Sequence, residues 1–330
     1  MRQSGTMSTI SESFAPGQLD RFWRFVCERQ WIWHRRIAER LPPPWTDDPV
    51  LRSERFTNVY RELDPGTKYV IEHVLELDAP RPDKLFNVML YRLVGRSDTH
   101  AALGFQSLAT FESSDMERTL KQLRSSGRPP FTAAYMVSAY ASMGSSDKIE
   151  NIVRLFSLLH AGFDEFFSRV DDCMSPAEVH ATLRSAYGFG NFLAYQVLVD
   201  LLYPLRFYRN RGVLPFSHDD WASPGPGAQR GITMLLRPDI SRPHLEVMRW
   251  LRDHQHDEFA RLGLDFPSLE DATGTPVAIS LANIQNCLCE FHKYVKISAG
   301  TGRGRRKFTP MSLHEPTVQL PTAFDSSKRV

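Results

Sequence analysis

Between residues 148 and 170 the apolar side chains keep the period of an α-helix. Ile149, Ile152, Val153, Phe156, Leu159, Phe163, Phe166, Phe167 and Val170 recur at spacings of three and four, which draws one apolar stripe along a helix that must be buried against a partner. The same period returns at 84–94 through Phe86, Met89, Leu90 and Leu93. It recurs at 191–203 through Leu193, Ala194, Val197, Leu198 and Leu201, and at 280–297 through Ile284, Cys287, Leu288, Phe291, Tyr294 and Val295. Further helices are expected at 18–41, 115–125, 133–143, 176–187 and 242–260. Strand-like alternation is rare, and the segment Val70–Leu77 reads as either strand or helix. The expected fold class is therefore all-α (mainly α).

The length of 330 residues allows about two domains' worth of chain at ~100–200 residues each, or one large helical unit. With 42% hydrophobic and 24% charged residues a normal core can be buried, which excludes a wholly disordered chain. Residues 1–17 are polar and are expected to be disordered; residues 299–330 form a Gly/Pro/Ser/Thr-rich tail expected to be flexible. The formal charge is +2 overall, but the tail carries six Lys/Arg against two acids, which leaves the rest of the chain at −2. A polyanion bound by that body must be held by placed residues and not by bulk charge. Cys27, Cys173, Cys287 and Cys289 are too few and scattered for a disulfide framework, so a reducing cytoplasm is expected. No second ligand pair accompanies Cys287, Cys289 and His292 at zinc spacing, and no metal or other cofactor is expected. No apolar run reaches the ~20 residues that span a bilayer.

Four constellations carry chemistry. The first is a helix, a Gly188-Phe-Gly190 turn and a second helix opening at Asn191. Glycines let backbone approach a partner closely, and N–H groups at a helix start can hold a phosphate; a plain αα-hairpin with a glycine cap fits the same residues. The second is Asp219-Asp220, ahead of a Gly225-Pro-Gly227 turn. A carboxylate there can stabilise a sugar cation or orient a water; a helix cap or solvated loop is the alternative. Asp220 is preferred because Trp221 beside it implies partial burial. The third is Arg55-Phe-Thr-Asn-Val-Tyr-Arg-Glu-Leu-Asp64. The Asn58 amide can both donate to and accept from a base edge, and Arg61 and Asp64 can pair across one turn. A capped helix with a surface ion pair is the alternative. The fourth is Glu290 with Lys293, for which an exposed pair one turn apart is the favoured reading. No Walker A loop, nucleophile elbow or dinucleotide fingerprint occurs in the sequence.

Arg55–Asp64, Gly188-Phe-Gly-Asn-Phe-Leu-Ala-Tyr-Gln196, Asp219-Asp220 with Gly225-Pro-Gly-Ala228, and Leu288-Cys-Glu-Phe-His-Lys-Tyr294 stand in one order over residues 18–297. Together they resemble the alpha-glutamyl/putrescinyl thymine pyrophosphorylase family of the helix-hairpin-helix DNA glycosylase superfamily. That resemblance implies a two-lobed glycosylase-like unit over 18–298, with the hairpin near 176–203. It implies base excision by a monofunctional DNA glycosylase acting on hypermodified bases of bacteriophage DNA, such as glucosylated hydroxymethylcytosine, in antiviral defence. Asp220, or else Asp219, is then the catalytic carboxylate. Asn58, Arg61, Asp64, Tyr91, Glu290 and Lys293 hold the base, while Gly188, Gly190, Asn191, Gly225 and Gly227 contact the DNA. The expected partner is double-stranded DNA carrying modified bases, with no membrane and no obligate protein partner. Two other readings stay open. One is a base-modifying pyrophosphorylase or transferase acting on hydroxymethylpyrimidine DNA, with Arg206, Arg209 and Arg211 available for pyrophosphate. The other is a non-catalytic module that binds modified DNA.

Overall fold

The computed structural model describes residues 9–133, 137–205, 212–271, 273–302 and 308. It is mainly helical, with one two-stranded sheet among the described residues. The chain divides into two compact units: residues 1–64 with 221–330, and residues 65–220, inserted in sequence between the halves of the first.

The first unit opens with α1 (Gln18–Trp33) and α2 (Pro49–Ser53). The inserted unit contains α3 (Pro65–Val70), α4 (Arg81–Val94), α5 (Ser97–Leu103), α6 (Ser113–Ser125), α7 (Lys148–Ala161), α8 (Phe163–Asp171), α9 (Pro176–Ser185) and α10 (Asn191–Leu201). The chain then returns to the first unit with α11 (Pro226–Leu235), α12 (His244–Asp253), α13 (Gln255–Arg261), the strands β1 (Leu269–Glu270) and β2 (Pro276–Val277), and α14 (Leu281–Ser298). β1 and β2 pair antiparallel, Leu269 opposite Val277.

In the first unit α1 turns Phe22, Trp23 and Val26 inward. Phe22 meets Phe291 of α14 edge-on at 5.4 Å, and Trp23 meets Phe259 of α13 at 5.0 Å. α14 and α11 approach each other closely. A Cβ on Gly231 would lie 2.2 Å from the Leu288 carbonyl oxygen, and one on Gly227 would lie 2.3 Å from Cys289 Sγ. These two glycines, one turn apart, are the groove into which α14 fits. Residues 9–17 of the segment expected to be disordered are tied to this unit: Ala15 N–H donates to the Leu235 carbonyl at 2.8 Å and Arg237 N–H to that of Ser13 at 2.9 Å.

In the inserted unit α4 is buried along most of its length. Phe86 sits among Phe111, Phe156 and Phe163, with centroids 5.1–5.4 Å apart and near-perpendicular rings. Enclosing such a side chain is worth about 1.5–3 kcal/mol. α4 is fixed to α10 by Arg92, whose guanidinium donates to both oxygens of the fully buried Asp200 at 2.6 and 2.5 Å. A carboxylate removed from water needs that forked partner.

Three expected elements differ. The helix read over 148–170 breaks at Gly162, whose backbone leaves the helical region at φ −122° and ψ 20°, into α7 and α8; Phe163, Phe166 and Val170 still face inward. The helix read over 242–260 breaks at His254, whose ring stacks on Trp250 at 4.3 Å. The helix read over 133–143 does not form through its described part: Tyr140 takes a left-handed conformation at φ 49° and a single 3-10 turn follows at Ala141–Met143. Residues Val70–Leu77 resolve as helix, ending in a turn of π-helix at Ile71–Leu75, because Val70, Ile71, Val74 and Leu75 share one buried face.

The α11–α14 approach generates a stability prediction. Gly231→Ala forces a methyl group against backbone and is expected to destabilise the chain by about 1–3 kcal/mol. Gly190→Ala, with nothing within 4 Å of its Cβ, is expected to change stability by less than about 1 kcal/mol. Urea midpoints of the two variants measure the difference.

Candidate functional site

The segment Arg55–Asp64 contains no α-helix and joins no sheet; its one regular feature is a 3-10 turn at Arg61–Leu63. Its backbone polar groups are met by side chains from two helices of the same unit. From α1, Arg29 Nε donates to the Thr57 carbonyl at 2.9 Å, and its Nη2 donates to the Phe56 carbonyl at 3.3 Å and to Asn58 Oδ1 at 2.8 Å. From α14, Asn283 Oδ1 accepts from Arg61 N–H at 3.0 Å, and Asn286 Nδ2 donates to Thr57 Oγ1 at 3.0 Å and to the Asn58 carbonyl at 3.2 Å. Glu290 Oε2 accepts from Thr57 N–H at 3.1 Å and from Lys293 at 2.6 Å. Lys293 also donates to the Arg55 carbonyl at 3.0 Å and lies over the Phe56 ring. Tyr60, fully buried, anchors the middle of the segment by donating to the Val277 carbonyl at 2.6 Å.

Within this frame Asn58 and Asp64 form a bracket. Asp64 Oδ1 accepts from Asn58 N–H and from Asn58 Nδ2, both at 3.0 Å. The Asn58 amide thus bonds Arg29 at one end and Asp64 at the other, which orients the carboxylate. Asp64 Oδ2 accepts no hydrogen bond among the described residues. Burial pushes the Asp64 carboxyl up to about 6, against the opposing pull of the Asn58 N–H and of Arg61 and Arg29. Burial also lowers the Arg29 guanidinium from its usual value. A half-buried carboxylate with one bound and one open oxygen, titrating near neutrality, can accept a proton or a hydrogen bond from a ligand hydroxyl.

The structure thus assembles Asn58, Arg61, Asp64, Glu290 and Lys293 around one loop. Sequence reasoning overlooked Arg29, Asn283 and Asn286, which hold it. Asn283 and Asn286 lie three apart on α14, a polar pair inside an otherwise apolar stripe, and that was the available signal.

The remaining candidates lie elsewhere. Tyr91 belongs to the inserted unit, where its ring stacks on Tyr69 at 5.6 Å, with Tyr69 Oη 3.0 Å from His100 Nδ1. Burial, with His73 nearby, lowers His100 to about 4 and keeps it neutral. Asp220 is exposed and not partly buried as Trp221 had implied; its Oδ2 accepts from Ser217 N–H at 2.8 Å, closing a turn, and Asp219 N–H donates to Ser217 Oγ at 3.1 Å. α9 and α10 form the expected hairpin. Gly188 there takes φ +86°, and a Cβ would strike Leu155 at 2.6 Å, so the turn needs glycine. Tyr140 Oη donates to its carbonyl at 3.1 Å. Gly190 and Asn191 are exposed at the start of α10, and Gly225 caps α11, whereas Gly227 is occupied by its packing on Cys289. Arg206, Arg209, Arg211 and most of the basic tail lie outside the described residues. No group of three potential metal ligands occurs among the described residues, and no helix there is long and apolar enough to cross a membrane.

Comparison with known proteins adds the decisive constraint. Residues 17–304 match the model of a family described as "5-hmdU DNA kinase, helical domain". A 5-hmdU DNA kinase of Bacillus phage SP10 is 33% identical over 298 residues, 86% of this chain and 46% of that protein. The chain thus spans about half the length of the curated relative it matches. No solved structure matches. These matches overturn the expectation of a monofunctional glycosylase hydrolysing an N-glycosidic bond in antiviral defence: the relative's name is that of a phosphorylating enzyme, a transferase and not a hydrolase.

Two outcomes test the frame. Arg29→Met strands three acceptors of the loop and is expected to destabilise the chain by about 2–4 kcal/mol; Arg29→Lys should restore only part, since an ammonium cannot bridge the same fork. Asp64, raised in the folded state, binds its proton more tightly there than in the unfolded chain. Its ionisation therefore erodes stability as pH rises from about 4 to about 6. Asp64→Asn lacks this loss. Urea midpoints at pH 4, 5 and 7 should move in the variant's favour with rising pH and level off above about 6.

Proposed function

The chain belongs to the family of the 5-hmdU DNA kinase helical domain, and from that premise we propose that it reads a hydroxymethylated pyrimidine in DNA and presents its hydroxymethyl oxygen for phosphorylation. The observation that carries this reading is Asp64: its Oδ2 is open, its Oδ1 is clamped by Asn58, and its carboxyl titrates at about 6. The hydroxymethyl O–H donates to Oδ2. In the transfer that proton passes to the carboxylate and a new bond forms between the hydroxymethyl oxygen and the terminal phosphorus of a nucleoside triphosphate. The bond from that phosphorus to its bridging oxygen breaks, and a nucleoside diphosphate leaves. The 330 residues hold no Walker A loop, so this reading assigns them the acceptor side of the reaction.

A thymine in the same place presents a methyl group and leaves Asp64 Oδ2 without a donor. Failure to satisfy a buried polar group is the stronger form of discrimination. The base must leave the stack to reach the loop, at a cost of about a few kcal/mol.

Binding of duplexes that differ at one position, 5-hmdU against thymine, tests the reading. We expect the wild-type chain to favour 5-hmdU by about tenfold or more at pH 7.5 and Asp64→Asn to lose most of that preference while retaining its affinity for thymine DNA. Equal binding of the two duplexes by the wild type would overturn the proposal.

A further inference from the structure

The outer face of α1 carries an arrangement that the Asp64 loop does not use. Gly17, Asp20, Arg21, Arg24 and Glu28 run along it and line, with Tyr294 and Asp48, a pocket of about 450 Å³. The acids of this wall are already engaged. Asp20 accepts from Arg261 at 2.6 Å. Glu28 accepts from Arg35 at 3.2 Å. Asp48 Oδ1 caps α2 through Val50 and Leu51 N–H at 2.8 and 2.9 Å, and its Oδ2 accepts from Tyr294 Oη at 2.6 Å.

The two arginines are not so engaged. Arg24 is exposed and makes neither a hydrogen bond nor an ion pair among the described residues. Arg21 makes neither as well; its guanidinium lies over the Tyr294 ring, 5.6 Å from the centroid, which orients it without using its donors. Residues three apart on a helix are surface neighbours, so the pocket presents two adjacent guanidinium groups with free N–H forks. Every acid beside them already has a positive or hydrogen-bonding partner.

We propose that this pocket binds a phosphate group, Arg21 and Arg24 donating together to its oxygens. Guanidinium forks match phosphate geometry, and the stacked Tyr294 ring limits the freedom that Arg21 must give up on binding. The phosphate can come from the DNA backbone or from a free nucleotide; the chemistry is the same. The proposal does not rest on Asp64, and a chain that failed to prefer 5-hmdU could still bind phosphate here.

The test compares the full chain with Arg24→Gln and with Arg21→Gln/Arg24→Gln. Arg24 is exposed and unpacked, so its variant keeps the fold if the double variant does not. Three probes are titrated calorimetrically: pyrophosphate, a non-hydrolysable nucleoside triphosphate and a 12-base-pair duplex, the last at several salt concentrations. If the DNA backbone is the source, the slope of log affinity against log salt becomes shallower by about one in the single variant and about two in the double. If a nucleotide is the source, affinity for pyrophosphate and the triphosphate falls at least tenfold in the double variant with the DNA slope unchanged. Binding of all three probes within twofold of wild type in both variants overturns the proposal.

Discussion

Arg29 is the side chain on which the candidate site depends. The loop Arg55–Asp64 has to bring Asn58 and Asp64 together without help from helix or sheet hydrogen bonding before its short 3-10 turn. A planar, permanently charged fork can span two carbonyls and an amide at once with its donors already set in place. From α1 it fixes Phe56, Thr57 and Asn58, and α14 fixes the opposite edge through Asn283, Asn286 and Glu290. The loop is thereby tied along both edges to the helices that hold it, and such bracing is what placing a carboxylate oxygen to within a fraction of an ångström requires.

The same frame accounts for the unusual state of Asp64. Two N–H groups and two nearby guanidinium groups all favour its charged form, yet burial outweighs them and the carboxyl rises to about 6. Arg29, which also pulls the carboxyl down, is itself desolvated and already donates to three acceptors. The loop therefore stores a destabilising ionisation that a ligand hydroxyl can relieve.

The helices were legible because their stripes are long: α7, α10 and α14 each carry apolar residues at the expected spacing, and burial follows them. The breaks at Gly162 and His254 were not: apolar periodicity continues across Gly162, and past His254 the buried Gln255, Glu258 and Phe259 keep the helical spacing, so only the backbone angles depart. Of the site, Asn58, Arg61 and Asp64 could be singled out as one motif because they are close in sequence. Arg29 could not, since its partners lie 27–29 residues away and nothing in α1 distinguishes it from Arg21, Arg24, Arg35 and Arg36. Glycine was the least legible residue type. Gly188 is required by its backbone angle, Gly227 and Gly231 by a neighbouring helix, and Gly190 by neither; all four look alike in sequence.

Charge shows why motif order alone pointed to the wrong chemistry. A carboxylate beside a tryptophan suited a sugar cation, but an exposed Asp220 that closes its own turn lacks the desolvation that such catalysis uses. Asp64 has that desolvation, and in the sequence it stands behind an arginine, where it reads as half of a surface ion pair. The two aspartates differ in burial: Asp220 is exposed and Asp64 is half-buried. Asp64 accepts two N–H groups from Asn58 with Arg29 of α1 nearby, and its Oδ2 accepts no hydrogen bond among the described residues; Asp220 Oδ2 accepts from Ser217 N–H in its own turn. A carboxylate oxygen left without a donor among the described residues, inside a frame this heavily cross-braced, is the feature on which the proposed reading of Asp64 rests.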